Sequence, residues 1–200
     1  AKDKLGKTTR YVLGAGKTVD LYDGERITIY LSSLNPRNMR HLTHKKGGFV
    51  FEDSPSAKPV RFSEEDVEII SADVLSDPKL AAIAEAAKPI FNDILKRHLN
   101  ETSESLDAET IADEDNYLPM VSAAMHRQMQ SLDSGDTGPG DVQNVGRFTV
   151  ESQGSLKRRI PNARNPLMLY DVFTLIRRAT RVAGLYSGFA EPIDMMKRVK

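Results

Sequence analysis

The chain has 200 residues, of which 40% are hydrophobic and 28% charged, and its 28 basic and 28 acidic side chains cancel to a formal net charge of zero. This composition is typical of an ordinary water-soluble domain or of two small ones, and it differs from the overall positive charge of a dedicated nucleic-acid-binding domain. The lack of cysteine excludes disulfides and thiolate metal sites, and no stretch approaches the roughly 20 consecutive apolar residues that span a bilayer.

Charge is distributed along the chain in three blocks of alternating sign. Residues 1–62 contain 12 Lys and Arg against 6 Asp and Glu, residues 63–141 contain 5 against 18, and residues 142–200 contain 11 against 4. A basic front, an acidic middle and a basic tail give one small protein regions of strong positive and strong negative electrostatic potential. Such fields can steer complementary surfaces together, including the surfaces of other copies of the same chain.

The front block is predicted to be mainly β. Apolar residues alternate with polar or amphipathic ones around Val19–Leu21 and again around Ile27–Leu31, and between these runs stands Asp23-Gly24, which suits a tight hairpin because both positions tolerate positive φ. Asn35-Pro36 resembles a helix cap followed by proline, so a brief helix is predicted through Leu42. The block is therefore predicted to be a small antiparallel β-barrel or sandwich. Its further strands are Tyr11–Leu13 (turned through Gly14–Gly16), Phe49–Phe51 and Val60–Phe62.

The acidic middle block is predicted to be helical. Ser63 followed by Asp66 fits a variant of the capping box, and Asp77-Pro78 is a stronger start signal. Pro89 should kink or split the second of these helices, because proline lacks the N–H that the helix needs. Another helical stretch, interrupted by proline, is predicted over residues 107–132. The inner faces are predicted to be Leu80, Ile83, Ala87, Ile90 and Ile94 in the first case, and Val121, Ala124, Met125, Met129 and Leu132 in the other.

The last block is predicted to combine a strand with helices. Arg147–Val150 is a candidate lone strand that returns to the sheet, and Asn165-Pro166 opens a strong helix that ends at Gly184. The inner face of that helix is predicted to include Leu169, Phe173 and Ile176, and a short basic helix follows over Glu191–Lys200. The fold class is therefore α+β. Its predicted segments are a basic β unit (1–62), an acidic helical region (63–132), a flexible Gly/Asp loop (133–146) and a basic strand-plus-helix region (147–200).

No motif in the sequence predicts a catalytic, cofactor-binding or metal-binding site. Gly14–Thr18 resembles the end of a phosphate-binding loop, but Tyr11 occupies the position of the required first glycine and a predicted strand follows. His41 and His44 form a pair, whereas a metal site needs three or four ligands. The aspartates of residues 133–141 do not have the spacing of a calcium loop. These features are interpreted as a hairpin turn and as solvated surface.

The basic side chains before and along the last predicted helix are the strongest candidates for an interaction surface. Arg177 and Arg181 are one turn apart on a helix, so they share a face, with Arg178 beside them. Guanidinium groups bind phosphate and carboxylate equally well, so the partner is either nucleic acid or the acidic middle block of the same or a neighbouring subunit. The candidate residues are Lys157, Arg158, Arg159, Arg164, Arg177, Arg178 and Arg181.

Three observations predict a non-enzymatic structural or adaptor subunit of a larger protein assembly: the lack of a catalytic set, the segregated charge, and the polar segments beside compact elements. In this general organisation the chain resembles small virion proteins of tailed bacteriophages, such as head–tail connector or neck subunits. Copies arranged head to tail lay basic ends on acidic middles, so a homo-oligomer is expected, located in the cytoplasm or the virion. The resemblance implies that the acidic surface lines a DNA passage while basic segments bind neighbouring subunits. The alternative is a nucleic-acid-binding accessory protein that uses the two basic blocks. An enzyme of another type would require a concave pocket with perturbed titratable groups.

Overall fold

The computed structural model describes residues 5–14, 16–44, 47–52, 58–105, 114–123 and 166–198. Over these ranges the fold is α+β, with an N-terminal β-hairpin followed by a mainly helical region. The strands of the described part form two separate two-stranded sheets and close no barrel. The predicted barrel or sandwich over residues 1–62 is therefore wrong, although the fold class is confirmed.

The hairpin joins β1 (Thr8–Val12) to β2 (Thr18–Tyr22) in an antiparallel pair. The turn is closed by Leu13, whose N–H donates to the carbonyl of Lys17 at 2.8 Å. Side chains alternate between the core and solvent, so that every second residue of β2 is buried. This alternation confirms the predicted strands at Tyr11 and Val19–Leu21 and the turn between them.

The next element is a helix, α1 (Asp23–Ser33), where the sequence predicted a hairpin turn and a strand. Glu25 caps its first turn, because its Oε2 accepts the N–H of Tyr22 at 2.9 Å. Every residue of this helix from Asp23 to Ser32 is buried. A helix buried on all sides places apolar residues at any spacing, so the period-two alternation of Ile27–Leu31 did not identify a strand.

Helix α2 (Pro36–Thr43) confirms the short helix predicted after Asn35. The side-chain oxygen of Asn35 accepts the backbone N–H groups of Arg37, at 2.9 Å, and Asn38, at 3.3 Å. These bonds satisfy two of the amides that a helix start leaves without an intrahelical partner.

A second sheet joins the front of the chain to its far end. Strands β3 (Phe49–Phe51) and β4 (Leu167–Leu169) pair in parallel. On the outer side of β3, Val60 contributes a single antiparallel bridge, which is all that forms of the predicted strand Val60–Phe62. A late strand therefore does return to the front block. It is Leu167–Leu169, whereas the predicted strand Arg147–Val150 lies outside the described residues.

Helix α3 (Glu64–Ser76) begins with the predicted capping box. Asp66 donates its N–H to the hydroxyl of Ser63 at 3.1 Å, and its carboxylate accepts the N–H of Ser63 at 2.7 Å. The same carboxylate accepts the N–H of Gly14 at 2.9 Å, which ties the hairpin to α3. Burial opposes ionisation, but the hydrogen bonds from Ser63 and Gly14 outweigh it and lower the pKa of Asp66.

A long helical segment follows, built from α4 (Pro78–Pro89), a π-helical segment (Ile90–Leu95) and α5 (Lys96–Ser105). The helix changes from α to π type directly after Pro89, where a kink or a split was predicted, but the chain stays helical through this position. The wider π turn rotates the following side chains, and Ile94, predicted to face inward, is 55% exposed. The buried stripe is Leu80, Ala84, Ala87, Phe91, Leu95 and Leu99.

The helix predicted over residues 107–132 is wrong for 114–122, which form turns and extended chain. Residues 106–113 and 124–165 lie outside the described ranges.

The last helix, α6 (Val172–Arg198), begins after β4 rather than at Pro166. It passes through Gly184 and includes much of the predicted tail helix. Leu169 is in β4 and Phe173 is 46% exposed, so the predicted inner face is also corrected. The buried face consists of Val172, Leu175, Ala183 and Tyr186.

Two hydrophobic clusters form the core, and α1 contributes to both. One packs the hairpin, β3, β4 and α3 around Ile29, and the other packs α4 to α6 around Ile27 and Leu31. Met120 touches both clusters. The predicted division of the chain into four segments stays a prediction. None of the helices within the described ranges is long and apolar enough to cross a membrane.

Candidate interaction surface

The start of α6 is fixed in place by Asp171, which is 2% exposed. One carboxylate oxygen accepts the N–H of Phe173 at 2.9 Å, capping the helix, and the other accepts the N–H of Leu5 at 2.9 Å. A Cβ added at Gly24 would lie 1.8 Å from the second oxygen, so only glycine lets α1 approach this closely. Helix α6 is thereby anchored to both α1 and the N-terminal segment.

A cluster of buried charges surrounds the start of α1. Arg26 forms an ion pair with Asp23 and donates to the hydroxyl of Tyr11 at 3.3 Å. That hydroxyl donates to the carboxylate of Asp73 at 2.8 Å, which links β1, α1 and α3. Burial raises the pKa of Tyr11 to about 12. These groups bind one another, and their arrangement is that of a structural anchor rather than of a site open to a substrate.

The side of α6 that faces away from the core carries exposed side chains. This surface is here called the outer face of α6. Arg177 and Arg181, at i and i+4, are both exposed, as the sequence predicted. Large apolar side chains flank them at the same spacing, with Phe173 46% exposed and Leu185 39% exposed. Arg177 also donates to the hydroxyl of Thr174 at 3.2 Å along the helix. The outer face therefore combines guanidinium groups with uncovered apolar surface.

Arg178 is held differently from the two other arginines of α6. It is half-buried, and its guanidinium carbon lies 4.6 Å from the centre of the Tyr170 ring. Tyr170 is 1% exposed, so the arginine covers a core aromatic residue in a cation–π contact. Burial raises the pKa of the Tyr170 phenol, although the charge of Arg178 opposes this. Arg178 thus contributes to the packing of α6 as well as to its charge.

The described structure brings three of the seven predicted basic residues onto one helix. The remaining four, Lys157, Arg158, Arg159 and Arg164, lie outside the described residues.

One ion pair joins the front and middle charge blocks within the chain. Arg37 of α2 contacts the carboxylate of Glu114 at 2.7 Å, and Asn35 donates to the same carboxylate at 2.7 Å. The backbone carbonyl of Glu114 accepts a hydrogen bond from the ammonium of Lys96 at 2.6 Å. Opposite charges of different blocks can therefore pair directly.

Sequence reasoning missed the buried polar residues at the starts of α6 and α1. Asp171 follows a short apolar strand and precedes a helix, which is the signature of a helix cap. That signal could have been found. Asp23 and Arg26 were not identified, because they lie in the stretch that was interpreted as a hairpin turn and a strand.

A shallow pocket with a cavity volume of about 10 Å³ lies between α1, the π-helical segment and Tyr117. Pockets that bind small molecules usually measure about 300–1,000 Å³, so this one is small for a ligand site. Among the described residues, no group of three or more His, Asp or Glu side chains is placed to hold a metal ion.

Comparisons of the chain with models of protein families, with curated proteins and with solved structures found no match.

Proposed function

We propose that this chain is a non-enzymatic structural or adaptor subunit that binds other protein subunits through the outer face of α6. The observation that carries the proposal is the mixture of exposed Arg177 and Arg181 with exposed Phe173 and Leu185 on one side of a well-anchored helix. Arginine and aromatic residues are enriched where proteins bind one another, and apolar groups gain energy only when a partner covers them. A firmly held helix also loses little freedom on binding.

A protein partner fits this face better than nucleic acid does. Single-stranded nucleic acid is held by several aromatic rings on which successive bases stack. Among the described side chains, the outer face of α6 exposes one such ring, Phe173, because Tyr170 is buried beneath Arg178. Phosphate contacts use the charge of Arg177 and Arg181 but leave Leu185 without a function. Carboxylates beside apolar groups on a protein would use all of these features.

The more specific proposal is a subunit of the head–tail connector or neck type in a tailed bacteriophage, located in the cytoplasm or the virion. The chain alternates blocks of positive and negative charge. Copies related by rotation can place unlike blocks against each other, and contacts of this kind close into rings when the rotation permits. The same geometry accounts for a net charge of zero in a protein with strongly charged parts.

The proposal is tested by measuring molecular mass in solution. Sedimentation velocity over a concentration series at about 50 mM salt is expected to show species heavier than the monomer, and fewer of them at about 200 mM salt, because screening weakens the charged contacts. The variant Arg177→Glu/Arg181→Glu is expected to shift the distribution toward the monomer.

The matched control is Lys17→Glu/Arg97→Glu, which makes the same change in charge at exposed positions on the hairpin and α5. It should associate as the unmodified chain does. A protein that stays monomeric at every concentration, yet binds DNA with a steep dependence on salt, would contradict the proposal and support the nucleic-acid-binding alternative.

A further inference from the structure

A second helix exposes a surface of opposite charge, here called the outer face of α3. It consists of Glu65, Glu68, Ile69, Ala72 and Leu75, all exposed, with Ile69 at 50% and Leu75 at 52%. The other side of this helix is buried in the core. Half-exposed aliphatic side chains beside carboxylates repeat the pattern of the outer face of α6 with the charge reversed.

The two outer faces match in length as well as in chemistry. At 1.5 Å per residue, the stretch from Glu65 to Leu75 measures about 15 Å and that from Phe173 to Leu185 about 18 Å. Two carboxylates can therefore face two guanidinium groups while the aliphatic side chains meet further along the helices. Both faces are exposed in one and the same molecule, so this contact joins two molecules.

Two glycines of α6 provide an independent reason to expect a close partner. Gly184 and Gly188 are exposed, and a Cβ added at either position would meet no atom within 4 Å. Glycine inside a helix costs about 1 kcal/mol relative to alanine, and packing among the described residues does not require it here. A helix that approaches α6 closely from outside does require small residues. Ala72 provides a small residue on the outer face of α3.

We infer that the outer face of α3 in one copy of the chain docks on the outer face of α6 in a second copy. This inference rests on the proposed function and specifies its partner. The contact is head to tail, since the two faces differ. Each copy therefore binds one neighbour through the outer face of α3 and another through the outer face of α6. A ring results if successive rotations close, and a filament if they do not.

Charge exchange between the two faces tests the docking. The variants Glu65→Lys/Glu68→Lys and Arg177→Glu/Arg181→Glu should each self-associate at least about tenfold more weakly than the unmodified chain, because like charges then face each other. An equimolar mixture of the two variants should regain association, and so should one chain that carries all four substitutions. Sedimentation velocity at low salt measures each case.

A steric variant tests the same contact without changing charge. Gly184→Leu places a side chain where the partner helix would lie and where the described residues leave space, so it should keep or raise the Tm of the unmodified chain and lose association. Gly184→Ala is the control for the loss of glycine. Undiminished association of Gly184→Leu would overturn the docking.

The outcomes separate the inference from the proposed function. If the unmodified chain forms oligomers and neither charge variant weakens them, docking of α3 on α6 is wrong, while a structural subunit with another interface remains. If only the α6 variant weakens association and the mixture does not recover, α6 binds a different surface, and the inference again fails. If the unmodified chain is monomeric at every concentration, docking between copies is overturned.

Discussion

Helices α1 and α6 both contain charged residues, but they use them in opposite ways. In α1, Asp23 and Arg26 are buried and pair with each other. In α6, Arg177 and Arg181 are exposed beside apolar side chains. Charges withdrawn from water must find partners in the same fold, whereas exposed charges cost little and can also contact another molecule. The comparison separates charges that maintain this fold from charges that can serve an assembly.

The largest expected effect comes from breaking the buried pair. Arg26→Met leaves Asp23 buried without its cation, and should lower the free energy of unfolding by about 3 kcal/mol. Arg177→Met, the same change on the outer face of α6, should alter it by less than about 0.5 kcal/mol. Urea denaturation monitored by circular dichroism measures both. Equal losses in the two variants would contradict the distinction between the helices.

The next largest effect concerns glycine in each helix. Gly24→Ala forces a methyl group onto the carboxylate of Asp171 and should destabilise the fold by about 2 kcal/mol. Gly184→Ala meets no neighbour among the described residues and should stabilise the chain by up to about 1 kcal/mol, through better helix propensity. The signs of the two changes are therefore opposite. A stabilising Gly24→Ala would show that α1 and α6 are not in close contact at this point.

The smallest expected effect is the raised pKa of Tyr11 in the buried cluster. The phenol of Tyr11 should lose its proton near pH 12, against about 10 for an exposed tyrosine. Since the folded-state pKa is raised and the neutral form is favoured, this group's stabilisation is complete below pH 10 and is lost as pH rises through 12. The absorbance titration of the unmodified chain minus that of Tyr11→Phe isolates this group. A midpoint near 10 would contradict the burial of the cluster.

The sequence predicted best those elements whose ends are marked by local chemistry. Asn35, Ser63 and Asp77 each cap a helix that starts where it was predicted, because a side chain that bonds nearby amides acts within one turn. The hairpin was predicted for the same reason, since its turn is short and rich in glycine. These signals depend only on neighbours along the chain.

The elements predicted wrongly depend on contacts that are distant in sequence. Whether Ile27–Leu31 forms a strand or a helix is decided by the core that encloses it on every side, and its spacing is compatible with both. Strand β4 pairs with β3 from more than a hundred residues away. On α6, spacing alone placed Arg177 and Arg181 on one side of a helix, but the exposure of Phe173 follows from where α5 packs. The acidic middle block was considered as a partner for the arginines, but the outer face of α3 was not identified within it, because the sequence does not show which of its side chains stay exposed.

The central claim is that a protein covers the outer face of α6, and thiol labelling tests it most directly. The chain has no cysteine, so Thr180→Cys, at an exposed position between Arg177 and Arg181 that tolerates a side chain of this size, introduces a single reporter on this face. Its labelling by a maleimide should slow as protein concentration rises, while the thiol introduced by Lys17→Cys on the hairpin should react at a constant rate. Adding Arg177→Glu/Arg181→Glu should restore fast labelling at position 180. Equally fast labelling at both positions, at every concentration, would contradict the claim.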